Sequence, residues 1–247
     1  SKNTGFAAVY LFGADSNTVT ASYIQNLNGH GVYLRTGSDL NTISQSVMIS
    51  SRTDYRALYL LAADSNTVTG SRLQNRPGET VYYDTGSDYN TIDQSTIVSH
   101  TADYAAFYHT AGDSNTVSDS YIQNMLASGY GIYVGSDYNT ITHSTITTKF
   151  SALYFSASDR NSLLDSRLWS QSSDALTFNS GADYNSVSRS SMVSIAADYG
   201  GLYVASSDSN TVTDSYFQNP SAYAAYFDSG ADYNTISHST MVSNSTS

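Results

Sequence analysis

The sequence predicts an all-β solenoid of about ten coils, roughly 24 residues each, and three observations carry that prediction. First, the chain repeats from end to end. Anchored on the Asn of "GSDYNTI", the copies stand at Asn17, Asn41, Asn66, Asn90, Asn115, Asn139, Asn161, Asn185, Asn210 and Asn234, spaced by 22 to 25 residues. Second, each copy repeats its chemistry. An Asp lies two residues before every Asn, a Ser five after it, and a Val, Ile or Leu two after it. Third, β-branched and turn residues dominate, and the Leu/Ala spacing of helical repeats is absent. Two kinds of copy alternate, "DSNTVTASYIQN" against "SDLNTISQSVMIS", so the full unit is two coils of about 49 residues.

Each coil reads as three short strands, and alternation along a strand decides which side chains face inward. In the first strand, pairs such as Val32 and Leu34, Leu58 and Leu60, or Ile132 and Val134 form the core. The residue between them then points outward. It is Tyr10, Tyr33, Tyr59, Tyr82, Tyr108, Tyr133, Tyr154, Tyr203 and Tyr226, with Thr177 the exception. Two residues earlier stands something small, such as Ala8, Gly31, Ala57 or Gly131, read as an outer shelf on which each ring lies. In the second strand Val19 and its equivalents face inward, which turns the Asn inward too, as a ladder of stacked amides. The recurrent Ser makes a second inward ladder, and the Thr after the Asn faces out. The third strand carries Tyr23, Arg72, Tyr121, Arg167 and Tyr216 outward on alternate coils, a pattern to which no function attaches.

At this level of detail, "GIYVGSDYNTITHSTI" resembles the repeats of the pectin-lyase-like right-handed parallel β-helix family. The resemblance covers essentially the whole chain and implies a right-handed parallel β-helix, on which the alternation above places the outward tyrosine ladder. It implies little about activity, because that family holds lyases, hydrolases, epimerases and purely structural fibres. Residues 1–247 are read as one domain, expected to be a piece of a longer exported repeat protein with neighbouring repeats as partners.

Charge and composition exclude some functions. Ten basic against 21 acidic residues leave a net charge of −11, which argues against nucleic acid. There is no cysteine for a disulfide framework or a thiolate metal site. No apolar run is long enough to insert in a membrane. The abundance of Ser, Thr, Asn, Asp and Tyr suits an extracellular or cell-surface location.

Two columns are candidate sites. The carboxylates of Asp15, Asp39, Asp64, Asp88, Asp113, Asp137, Asp159, Asp183, Asp208 and Asp232 either accept backbone N–H bonds in their own turns or collect Ca²⁺. No established Ca²⁺-loop pattern is present, and no other cofactor is expected. The tyrosines either stack on one another or grip a polysaccharide, and a flat regular array can also order ice. Catalysis has one thin candidate: Arg35 with Asp84 and Asp228 on the tyrosine face, arranged as a lyase for acidic polysaccharides. Too few acids surround Arg35, and the five histidines occupy unrelated positions, with His109 at a core position. The sequence therefore reads as a non-catalytic structural or adhesive module.

Overall fold

A computed structural model describes residues 6–100, 103–126 and 128–244. It contains thirty strands in three ten-stranded parallel sheets. One coil shows the pattern: His30–Arg35 lies in the first sheet, Thr42–Ser44 in the second and Val47–Ser50 in the third. Each strand, the edge strands of the first and last coils apart, pairs with the strand one coil earlier and one coil later, in register with the sequence repeat. Tyr33 stands against Tyr59, Val19 against Ile43, and Ile24 against Met48.

The expected alternation holds along the strands. Val32, Leu34, Leu58 and Leu60 are buried, and the tyrosines between them are half-exposed. Inward residues of all three sheets make one continuous core, from Ile24 through Phe107, Phe155 and Phe178 to Phe217. His109 and Tyr83 lie inside it, as their parity requires.

The second-sheet Asn column is buried from Asn41 to Asn210, as predicted, and its bonds are regular. Each Oδ1 accepts the backbone N–H of the Asn one coil earlier, from Asn17 on Asn41 at 2.8 Å to Asn210 on Asn234 at 2.8 Å. Most amide N–H groups go to the next Asn or to a corner carbonyl, as Asn90 Nδ2 does to Ala63 O at 3.0 Å, while Asn139 Nδ2 donates to Ser136 Oγ and Asn115 Nδ2 meets His109 Nε2. The Ser column works likewise. Ser46 N–H donates to Ser71 Oγ at 3.0 Å, and Ser46 Oγ donates to Ser44 O at 2.7 Å. Side chains thus take up the backbone groups that sharp corners would otherwise leave buried and unpaired.

Those corners have left-handed backbone. The residue before each Asn and the residue before each ladder Ser both have positive φ, for example Leu40 (57°), Tyr89 (57°), Gln45 (50°) and His143 (48°). At the second position only Gly70 is a glycine. A non-glycine residue there costs about 1–2 kcal/mol. The bend is held by bonds such as Leu40 N–H to Asp64 O at 3.1 Å and Gln45 N–H to Thr69 O at 3.0 Å.

At the corner between the third and first sheets, alternation breaks. Gly31 and Val32 both donate to the next coil, to Arg56 O and Ala57 O, each at 2.9 Å. This overturns the outer shelf read from the sequence. The small residue two before the Tyr points inward: Ala57, Ala106, Ala152 and Ala175 are fully buried. A Cβ at Gly131 would come within 2.4 Å of Ile146 Cγ2 and 2.8 Å of Thr148 Cγ2, both on the third sheet. Size is restricted by the core, and the rings rest on something else.

Candidate functional site

What the rings rest on is each other. Tyr33 and Tyr59 lie 4.6 Å apart at 21°, Tyr82 and Tyr108 5.4 Å apart at 21°, Tyr108 and Tyr133 4.8 Å apart at 19°, and Tyr133 and Tyr154 5.5 Å apart at 11°. Tyr10 against Tyr33 is tilted, and Tyr59 against Tyr82 is edge-on. Thr177 interrupts the column, which resumes with Tyr203 and Tyr226 at 5.7 Å. The tyrosine column named from the sequence is therefore one contiguous run of seven rings, a gap, and a pair.

Several hydroxyls are committed as well. Tyr59 donates to Asp84 Oδ2 at 2.7 Å, Tyr203 donates to Asp228 Oδ2 at 2.9 Å, and Asn179 Nδ2 donates to the Tyr154 hydroxyl at 2.6 Å. Burial, then the bond to Asp228, pushes Tyr203 up to about 12. Tyr59 is raised by burial and then by Asp84. Asp84 and Asp228 thus hold ladder hydroxyls. Arg35 is fully exposed, turned to the Tyr10 hydroxyl and 5.8 Å from the Phe12 ring centre. The three residues of the lyase candidate form no common centre.

A row that the sequence reading missed flanks the ladder, at the position three residues before each ladder residue: His30, Arg56, Glu79 and Tyr130 before rings, and Asp174 before Thr177, among others. His30 stacks on Tyr59 at 5.0 Å and accepts the Arg56 backbone N–H on Nδ1 at 3.1 Å. Arg56 lies over Tyr82, 4.8 Å from its centre, and pairs with Glu79 at 3.0 Å. Burial raises the Glu79 carboxyl, and Arg56 opposes that shift. With Tyr82, Tyr104, Tyr108 and Tyr133 this pair lines a cleft of about 380 Å³. The row lies in the most variable stretch of each coil, so no repeat signal marked it.

The Asp column is regular, and its partner differs from the expected one. Each carboxylate accepts the backbone N–H of the Asp one coil later, not one in its own turn. Asp39 donates to Asp15 Oδ1 at 2.9 Å, Asp88 to Asp64 at 2.9 Å, Asp137 to Asp113 at 2.9 Å, and Asp232 to Asp208 at 2.8 Å. Asp159 and Asp183 continue the series at 3.0 Å. Among the described residues, no three His, Asp or Glu side chains converge as a metal-holding group. No helix of the described residues is long and apolar enough to cross a membrane.

Comparison with known proteins agrees with this architecture. The family described as "Right handed beta helix region" matches residues 105–247. The chain belongs to the right-handed β-helix family. Residues 1–98 of this β-helix also match the description "Periplasmic copper-binding protein (NosD)". No curated protein matches the chain. Solved structures similar to it include the DFA-IIIase from Arthrobacter chlorophenolicus A6 without its lid, 12% identical with a TM-score of 0.59, over 89% of this chain and 72% of that one. The A-module of an Azotobacter vinelandii mannuronan C-5 epimerase is 10% identical with a TM-score of 0.56, over 98% and 87%. Pectate lyase Pel9A is 12% identical with a TM-score of 0.53, over 90% and 71%. At such identities the likeness is one of fold, as a pectin-lyase-like β-helix.

Proposed function

We propose that this β-helix is a non-catalytic structural or adhesive module of an exported surface protein, and that its tyrosine ladder chiefly holds the coils together. The observation that carries this reading is the use of the ring faces: from Tyr82 to Tyr154 each ring lies face to face with its neighbour at 4.8 to 5.5 Å. A sugar ring stacks on an aromatic face, and these faces are taken. Export is supported by the surface-like composition and by the periplasmic description matched over residues 1–98.

Polysaccharide binding is the second reading. The cleft beside Arg56, Glu79 and Tyr104 favours it, offering ring edges, hydroxyls and a charged pair. One variant separates the two. Replacing Tyr59, Tyr82, Tyr108 and Tyr133 together by Thr uses a residue the fold already accepts at Thr177. On the structural reading it lowers stability by roughly 1–5 kcal/mol, summed over the lost ring pairs. A thermal midpoint that stays unchanged while binding on a glycan array is lost would establish the polysaccharide reading instead. Pectate and alginate incubated with the wild-type protein and Ca²⁺ should release no unsaturated, ultraviolet-absorbing product; such a product, abolished in Arg35→Ala, would make it a lyase.

A further inference from the structure

At the position three residues before the ladder residue, two coils present a buried carboxylate: Glu79, before Tyr82, and Asp174, before Thr177, where the ladder has its gap. At the first, the preceding coil supplies a cation at the same position. Arg56 meets Glu79 at 3.0 Å while lying over the rings of Tyr82 and Tyr59, 4.8 and 5.9 Å from their centres. Carboxylate, aromatic faces and guanidinium together form a cation site filled from within the chain.

At the second place the same parts recur without the cation. The coil before Asp174 offers Ser151 at that position, and the coil after it offers Gly200. Asp174 is 8% exposed and accepts the Gly200 N–H on Oδ1 at 2.5 Å. Among the described residues it pairs with no Lys, Arg or His. Beside it opens a cleft of about 290 Å³ lined by Asp198 and by the rings of Tyr199, Tyr203, Tyr223 and Tyr226. No basic residue lines it. Tyr226 stacks on both Tyr223 at 5.0 Å and Tyr203 at 5.7 Å, and the Tyr203 hydroxyl is turned to Asp228, so the aromatic wall is fixed, with Tyr226 engaged by its neighbours and Tyr199 stacked on no other ring among the described residues. The cleft lies next to the gap left by Thr177, where the ladder breaks. Gly200 has no side chain to cover the carboxylate: a Cβ there would stand 3.5 Å from Asp174 Oδ1 and 2.6 Å from Leu202 O.

We infer that this cleft binds an organic ammonium cation supplied from outside the chain, seated against Tyr199 and the sides of Tyr203 and Tyr223 turned away from Tyr226, with Asp174 and Asp198 as counter-charges. Aromatic faces attract such cations most strongly where water is excluded, and a buried carboxylate lacking a cation adds a charge that only a cation offsets. Burial holds the Asp174 carboxyl at about 6, so it is largely ionised at neutral pH. Inorganic cations, being strongly hydrated, match the carboxylates and not the rings, whereas a methylated ammonium matches both.

The test is calorimetric titration of the whole chain at neutral pH with choline and, separately, with its neutral isostere in which carbon replaces the ammonium nitrogen. Choline should bind saturably, and the isostere roughly tenfold or more weakly. Asp174→Asn, which keeps the acceptor for Gly200 N–H, should weaken choline binding about tenfold or more. So should Tyr199→Ala, which truncates an exposed ring and keeps the assay decisive if Asp174→Asn fails to fold. Tyr89→Ser, on a distant corner, should bind as wild type. Absence of saturable choline binding up to tens of millimolar, equal binding of the isostere, or undiminished binding in the variants would overturn the proposal.

Discussion

Asp174, His30 and His109 are buried titratable groups whose pH effects run in opposite directions. Burial lowers His109 to about 3, and burial followed by the Arg56 charge lowers His30 to about 4, from an ordinary 6.5. The unfolded chain therefore takes up protons that the folded chain refuses. Their contribution is present above about 6.5 and is lost as pH falls toward 4 and 3. Asp174 is raised from 3.8 to about 6, so its penalty is present above 6 and fades as pH falls toward 3.8. Asp174→Asn should accordingly raise the unfolding free energy by on the order of 1–3 kcal/mol at mildly alkaline pH and by almost nothing at a pH below the ordinary Asp value. Urea unfolding at the two pH values reads this directly; an equal gain at both would mean that the carboxylate's charge is not the cause. His109→Phe, packed between Tyr83 and Phe107, should flatten the acid side of a plot of thermal midpoint against pH. A stability cost retained at Asp174 is what a binding residue would show, and it agrees with the cleft beside it.

The corners carry the coil as an element, and they do so by setting strained backbone against ladder bonds. Asn90→Ala would strand the Asn66 backbone N–H and the Ala63 carbonyl inside the core, and take the acceptor from Asn66 Nδ2 as well, at a cost of about 2–6 kcal/mol for the two backbone groups alone. One residue earlier the effect should reverse. Tyr89 is 66% exposed at φ 57°, so Tyr89→Asn, which tolerates that backbone, should stabilise by about 0.5–1 kcal/mol. Measured together by thermal unfolding, the pair separates ladder from strain. These elements also show what could be read in advance. Strand parity was legible because Val32, Leu34 and Tyr33 differ in kind, and the Asn column because Val19 fixes its facing. The left-handed corners were not, since Gly70 is the one glycine at its position and Leu40, Tyr89 and Gln45 look like ordinary residues. The inward turn of Gly31 and Gly131 was missed because alternation was carried one residue past the point where two consecutive N–H groups donate to the same coil. Arg56, Glu79 and Asp174 stand at a position that other coils fill with unlike residues such as Ala105, Tyr130, Ser151 and Gly200, and repetition of residue type was the only signal the sequence offered.

Over the whole molecule, stability sums coil terms and nearest-neighbour terms, and the Asp column adds a repulsion to each of the latter. Carboxylates one coil apart, at about 4.8 Å, repel by roughly 1 kcal/mol per pair in a water-like dielectric. The N–H bond from the next Asp holds each carboxylate in place without removing its charge, and a net charge of −11 works in the same direction. Salt should then stabilise the solenoid. The thermal midpoint should rise as sodium chloride goes from about 0.01 to 1 M, while the screening length falls from about 30 to 3 Å. Calcium makes the sharper comparison. With Ca–O distances of about 2.3–2.6 Å, one ion spans two oxygens a coil apart, and Oδ1 of each Asp is already held by a backbone N–H. Because a two-oxygen seat falls short of the six to eight ligands Ca²⁺ takes, calcium chloride should raise the midpoint no more than sodium chloride of equal ionic strength. An excess rise with calcium, abolished by Asp113→Asn together with Asp137→Asn, would instead make the column a calcium site and give the solenoid's coil-to-coil coupling a second, ion-dependent source.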